Sequence, residues 1–311
     1  MNASKLRHVR TASLDVAYEE SGPRGGASVV LLHGWPYDPR CYDGVVPPLV
    51  AAGCRVLVPY LRGFGPTRFL PAETPRSGQQ AALGNDLLEV IDALAVERAI
   101  LAGYDWGGRA ACIVSALWPE RVRGLLTVNG YNIQDIAGSG QPQDPAQERR
   151  YWYQWYFQTE RGCAGLDLDR RAFCRLLWQL WSPNWTFDDA TFARSAASFD
   201  NPDFVDVTIH SYRHRYGNAA GDPALEEIEK RLAAKPKIAA PTIALQGEAD
   251  GVLPRELSER HSVFFTGPYQ YRVLPRIGHN PPQEAPAILA EAVLELVRTA
   301  LLKAVTASQI Q

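Results

Sequence analysis

The stretch Ile100-Leu101-Ala102-Gly103-Tyr104-Asp105-Trp106-Gly107-Gly108-Arg109 sets the tightest constraint on this chain, because a short apolar run meets a Gly-x-Asp-x-Gly turn that opens into a helix-forming segment. It reads as strand, tight turn and helix. In such a turn small residues make room for one side chain, here Asp105, to stand above the sheet near backbone amides able to hold an oxyanion. A carboxylate with a reference pKa of about 3.9 is already ionised at neutral pH and attacks carbon without help from a base. The resulting ester must then be cleaved by water that a second group, usually histidine, activates. The competing reading is a plain strand-to-helix loop with Asp105 as the helix cap.

The rest of the chain bears on that choice. Ser28-Val29-Val30-Leu31-Leu32 reads as a buried strand that runs into His33-Gly34-Trp35-Pro36. Gly-Trp-Pro is a sharp turn in which the Trp35–Pro36 bond is a candidate for the cis form. The turn can aim the Trp35 amide at Asp105, so that Trp35 and Trp106 would be the two oxyanion donors. Further along, Pro241–Gly247 reads as a strand leading to Asp250, and Tyr269–Leu274 as a last strand leading to Arg276-Ile277-Gly278-His279. Asp105, Asp250 and His279 thus each follow a strand's C-terminal end, where open α/β sheets put their ligands. They occur in the order nucleophile, acid, histidine.

Between these segments, Leu14–Glu20, Arg55–Pro59 and Val122–Val128 read as strands, and Tyr42–Ala52, Gln79–Leu94 and Ala110–Leu117 as helices. The alternation predicts an α/β fold with a mostly parallel sheet covered on both faces. From about Asn132 to Lys235 no strand pattern is found, and five of the eight tryptophans gather there: Trp152, Trp155, Trp178, Trp181 and Trp185. That block reads as an inserted helical cap, entered at Gly138-Ser139-Gly140 and left at Pro236–Pro241. The organisation expected is core in 1–131, cap in 132–235 and core again in 236–311. Most of the cap aromatics are expected to pack its interior.

A net charge of −2 gives no reason to expect nucleic acid or an anionic membrane as partner. The opening Met1–Arg7 lacks the apolar stretch of a signal peptide, and no run has the length of a membrane span, which predicts a cytoplasmic protein. Five widely spaced cysteines with no C-x-x-C motif suggest buried apolar residues, with neither disulfides nor a zinc site. No metal or cofactor is expected.

With these residues in hand, the chain resembles the epoxide hydrolase group of α/β-hydrolases over nearly its whole length. The matching positions are His33-Gly34-Trp35-Pro36, Asp105-Trp106-Gly107-Gly108, Asp250, and Gly278-His279 with Glu284 and Pro286 behind it. The resemblance implies a hydrolase that opens epoxides to vicinal diols through an aspartyl ester, with a small apolar epoxide and water as its partners. It also implies two cap tyrosines that protonate or hydrogen-bond the epoxide oxygen, matched here by Tyr153 in Trp152-Tyr153 and Tyr212 in Tyr212-Arg213. Opening an epoxide creates an alkoxide, and phenols of reference pKa about 10 can supply its proton. Tyr151, Tyr156 and Tyr216 are rivals for that role. Haloalkane and haloacid dehalogenases share the fold and the aspartate, and the Trp106 indole could serve a departing halide. Haloalkane members often carry Asn where Trp35 stands, the fluoroacetate type has Arg where Trp106 stands, and the commoner epoxide hydrolase pattern has His where Tyr104 stands. Arg109 could meet a substrate carboxylate but reads first as a surface or structural ion pair. A non-catalytic scaffold holding a small ligand under the cap is the reading from a different class, and it has no need of three aligned residues.

Overall fold

The computed structural model describes residues 5–308; Met1–Ser4 of the opening segment lie outside the described residues. The strands are β1 (Lys5–Arg10), β2 (Leu14–Ser21), β3 (Ser28–Leu32), β4 (Arg55–Pro59), β5 (Arg68–Phe69), β6 (Ala99–Gly103), β7 (Val122–Val128), β8 (Thr242–Gly247) and β9 (Tyr269–Leu274). They form one sheet in the order β1-β2-β4-β3-β6-β7-β8-β9, with β5 beside β2. Strands β1 and β2 are antiparallel to their neighbours, and every pairing from β4 to β9 is parallel. All five residues of β6 are buried, as expected of a central strand covered on both faces.

Helices α1 (Val46–Ala51), α2 (Gln80–Ala93) and α3 (Asp105–Leu117) belong to the first half of the sheet. Between β7 and β8 the chain is helical throughout: α4 (Pro145–Arg150), α5 (Trp152–Tyr156), α6 (Glu160–Leu168), α7 (Arg170–Trp181), α8 (Asp189–Ala196), α9 (Phe204–Arg215) and α10 (Glu226–Ala233). The chain then adds α11 (Arg255–Ser258), α12 (Pro281–Glu284) and α13 (Pro286–Ser308). Helix α3 packs on β6 and β7 together with α2, and α13 lies along β7 and β6. No helix among the described residues is long and apolar enough to cross a membrane. The five cysteines are free, and all but Cys163 are buried.

Two sequence expectations need correction. The helix expected over Tyr42–Ala52 begins only at Val46, because Pro47 and Pro48 lack the amide that a helix interior uses and fit only its first turn. A separate 3-10 turn covers Pro39–Tyr42 before it. Strand β1 was not anticipated, since its Lys-Leu-Arg-His-Val-Arg sequence carries little apolar signal and its identity comes from pairing with β2 along six residues.

The site-bearing end of the sheet follows from strand order. The chain places β4 on one side of β3 and β6 on the other, so the loops after β3 and β6 diverge and leave a crevice at their C-terminal ends. His33–Pro36 leaves β3 and Asp105 leaves β6 at this end, and the two turns touch.

Candidate active site

Asp105 opens α3 with φ of +50°, a left-handed conformation that costs a non-glycine residue on the order of 1–3 kcal/mol. The turn around it has no room to relax. A Cβ on Gly107 would lie 2.1 Å from the Leu32 carbonyl oxygen, and one on Gly34 would lie 2.6 Å from the Asp105 Cβ. The Trp35–Pro36 peptide is cis, as the turn composition anticipated. His33 pins the turn from below: its Nδ1–H donates to the Gly34 carbonyl at 2.9 Å and its Nε2 accepts from the Leu61 amide at 3.1 Å. Burial lowers its pKa to about 4, which keeps the ring neutral and this tautomer fixed.

The result is a carboxylate already seated between two donors. The Trp35 amide donates to Asp105 Oδ1 at 2.8 Å and the Trp106 amide donates to the same oxygen at 2.7 Å. The other oxygen, Oδ2, is 3.8 Å from His279 Nε2. His279 Nδ1 in turn is 2.9 Å from Oδ2 of Asp250, whose Oδ1 accepts from the amides of Val252 and Leu253 at 2.7 and 3.1 Å. Above this row, the Tyr153 and Tyr212 rings meet edge to face at 5.4 Å. Both pack on Trp35, with Trp181 and Phe157 completing an aromatic box. The structure therefore brings together all seven residues singled out from the sequence.

A model of the alpha/beta hydrolase fold family matches residues 27–286. The chain belongs to the α/β hydrolase family. Among solved structures, a candidate epoxide hydrolase from Klebsiella pneumoniae subsp. pneumoniae is 46% identical, with 94% of this chain and 97% of that one covered at a TM-score of 0.92. Among curated proteins, Epoxide hydrolase A of Mycobacterium tuberculosis is 26% identical over 96% of this chain and 98% of its own length. The AB hydrolase superfamily protein YfhM of Bacillus subtilis is 25% identical over 96% of this chain and 99% of its length. This is an epoxide hydrolase-like α/β hydrolase.

Electrostatics in this α/β hydrolase follow from burial set against pairing. Burial disfavours the His279 imidazolium, but the carboxylates of Asp250 and Asp105 outweigh it and raise the pKa from 6.5 to about 10. Burial likewise pushes Asp105 up, and the attraction of the His279 ring 3.8 Å away brings it below the usual carboxylate range. Both shifts favour the charged His279 ring in the resting site. Removing one carboxylate must loosen the proton: in Asp105→Asn, the His279 ring should titrate at a clearly lower pH than in wild type, which histidine NMR can follow. An unchanged titration would mean that Asp250 alone holds the proton.

Several polar residues of the site carried no sequence signal of their own. Asn129, just past β7, donates from Nδ2 to Asp250 Oδ2 at 2.7 Å; its place beyond a strand end, like those of Asp105, Asp250 and His279, is the clue that could have found it. Gln154 donates to the Tyr153 hydroxyl at 2.9 Å and accepts from Tyr216 at 2.8 Å, which turns the Tyr153 proton towards the box and commits Tyr216 to support. Tyr151 lines a neighbouring cavity, and Tyr156 packs against Phe173. Glu284 receives the Gly278 and Asn280 amides and the Ser182 hydroxyl, holding the His279 loop from behind. The carbonyl of Trp181, at the end of α7, accepts the backbone amides of both Gly251 and His279. Arg109 corrects the sequence reading. It is only 5% exposed, and among the described residues it forms no ion pair, because its place one turn after Asp105 points it into the boundary between core and cap.

Proposed function

We propose that this α/β hydrolase opens epoxides to vicinal diols through an ester on Asp105. Asp105 Oδ2 attacks an epoxide carbon, the carbon–oxygen bond breaks, and a phenol of Tyr153 or Tyr212 gives its proton to the alkoxide. Esterification removes the Asp105 charge, so His279 loses one of the two carboxylates that hold its proton and returns that proton to the tyrosinate. Neutral His279 then takes a proton from water as the water oxygen attacks the Asp105 carboxyl carbon. Negative charge develops on Oδ1, which already has the Trp35 and Trp106 amides at 2.8 and 2.7 Å. Collapse expels the diol, protonated by His279, and the carboxylic acid left on Asp105 passes its proton back to the imidazole.

The observation that carries the reading is the pair of phenols. Both are buried, face each other over Asp105 and have pKa values raised first by burial, so they meet a substrate as proton donors and never as resident anions. An epoxide oxygen stays on the substrate and needs such a donor; a halide leaves as a stable anion and does not. The candidate epoxide hydrolase that is 46% identical supports the same substrate class. Dispersed free thiols suit a reducing compartment, so the cytoplasm is part of the reading.

Tyr153→Phe and Tyr212→Phe should each slow epoxide opening by about one to a few kcal/mol, roughly 10- to 1000-fold, and the double variant should be close to inactive. Single-turnover quenching of tryptophan fluorescence follows this step. One feature favours halide displacement instead: the buried Trp106 indole N–H has no partner among the described residues, whereas that of Trp35 donates to Thr208 at 2.9 Å. If both phenylalanine variants form the ester at wild-type rates while Trp106→Phe abolishes halide release from a haloalkane, the epoxide reading is wrong.

A further inference from the structure

Behind the two phenols, the boundary between core and cap holds an arrangement that an apolar epoxide does not require. Arg109 lies on α3 one turn after Asp105, and its Nε and Nη1 are buried without a hydrogen-bond partner. Arg215, at the end of α9, has its guanidinium 5.4 Å from the centre of the Tyr212 ring. With its amide turned so that oxygen faces the two arginines, Gln134 accepts from Arg109 Nη2 at 3.1 Å and from Arg215 Nε and Nη2. Arg215 also donates from Nη1 to Gln154 Oε1 at 2.8 Å, the residue that orients Tyr153. Among the described residues, neither guanidinium has an ion-pair partner.

Two like charges sharing one neutral acceptor, with Arg109 buried, are costly, and unsatisfied guanidinium donors add to that cost. Burial, followed by the Arg215 charge, lowers the Arg109 pKa to about 10, still high enough to keep it charged at neutral pH. Arg109 sits on the helix that Asp105 opens, and the groups that act on it electrostatically are Arg215, Asp105, Tyr212 and Tyr153. Arg215 and Gln134 also form part of the wall of a cavity of about 420 Å³ that extends past Tyr151 and Tyr216 to the hinge at Gly138 and Lys235. The cavity thus reaches Arg215 and Gln134, and Gln134 is the residue that Arg109 shares with Arg215.

We propose that Arg109, assisted by Arg215, is a carboxylate-binding site, and that the substrate is an epoxide carrying a carboxylate on the same small molecule. The reading rests on the epoxide chemistry proposed above and adds the substrate class to it. A carboxylate supplies the acceptors that Arg109 lacks, offsets the excess positive charge, and fixes which epoxide carbon faces Asp105. Arg109 offers planar N–H geometry suited to a carboxylate, which a lysine at the same place would not match.

The test compares an epoxy acid with its own methyl ester. Wild type should prefer the acid in kcat/KM by about 10-fold or more, since a polar site left unpaired penalises the analogue lacking the charge. Arg109→Met should remove that preference by depressing the acid more than the ester, with Arg109→Lys restoring part of it. Equal turnover of acid and ester by wild type, or equal loss of both in Arg109→Met, would overturn the proposal. Binding of butyrate against butyramide, followed by tryptophan fluorescence, needs no turnover. Saturable butyrate binding weakened about 10-fold in Arg109→Met or Arg215→Met is the expected result. If butyrate binds in this way and no epoxide is opened, the carboxylate site stands and the epoxide reading falls. If neutral epoxides are opened and butyrate does not bind, the reverse holds. Should Arg109→Met fail to fold, the acid-to-ester ratio and the butyrate titration of wild type decide alone.

Discussion

Asp105→Ala should abolish turnover while leaving the fold intact. Its carboxylate is the one seated on both the Trp35 and Trp106 amides and facing His279, and no second carboxylate stands in that position to form the ester. Retention of a tenth of the wild-type rate would correspond to a loss of only ~1.4 kcal/mol and would sink the covalent mechanism. Circular dichroism checks the fold, since alanine at a positive φ adds strain of roughly 1–2 kcal/mol. Asp105→Asn is the weaker test of turnover, because deamidation regenerates the acid.

His279→Gln should split the reaction in two. The variant keeps Asp105 on the Trp35 and Trp106 amides and the phenols in place, so one equivalent of substrate should alkylate the protein and remain. Without a base for water, hydrolysis should fall by at least the roughly 10²- to 10⁴-fold that general-base catalysis contributes. Intact mass measurement reads the adduct directly; an unmodified protein after exposure to a substrate of the wild type would contradict the two-step scheme. Isotopic water adds a check on wild type: in a single turnover the solvent oxygen should enter the Asp105 carboxylate, and the diol should carry oxygen from the enzyme. Solvent oxygen appearing first in the diol would mean direct attack by water.

Much of this was legible in the sequence, for reasons that differ between parts. Buried parallel strands such as β6 and β8 announce themselves as continuous apolar runs, and the tight turns after β3 and β6 do so through residues that little else can replace. Gly107 is forced by its contact with Leu32 and Gly34 by its contact with Asp105, so the motif and its geometry are one fact seen twice. Edge strand β1 is defined by its partner and not by its own residues, which is why it escaped notice. Arg109 failed for another reason. A helix has faces, and which face meets the cap depends on how an insertion of seven helices folds back, a matter no local pattern encodes. The supporting polar groups Asn129, Gln134 and Gln154 are equally silent, since an amide side chain acquires meaning only from the atoms opposite it.

The single carbonyl of Trp181 that receives both Gly251 and His279 has an engineering consequence. The sheet does not finish its own working loops. It borrows an acceptor from the inserted helices, and Ser182 next to it binds the His279 amide as well, at 3.0 Å. A truncated protein stripped of the insertion would therefore lose shape at the histidine loop even with every strand intact, and a chimera carrying another protein's insertion would need a peptide carbonyl at the same point in space. The same tether argues against the insertion swinging away as a hinged lid at each turnover.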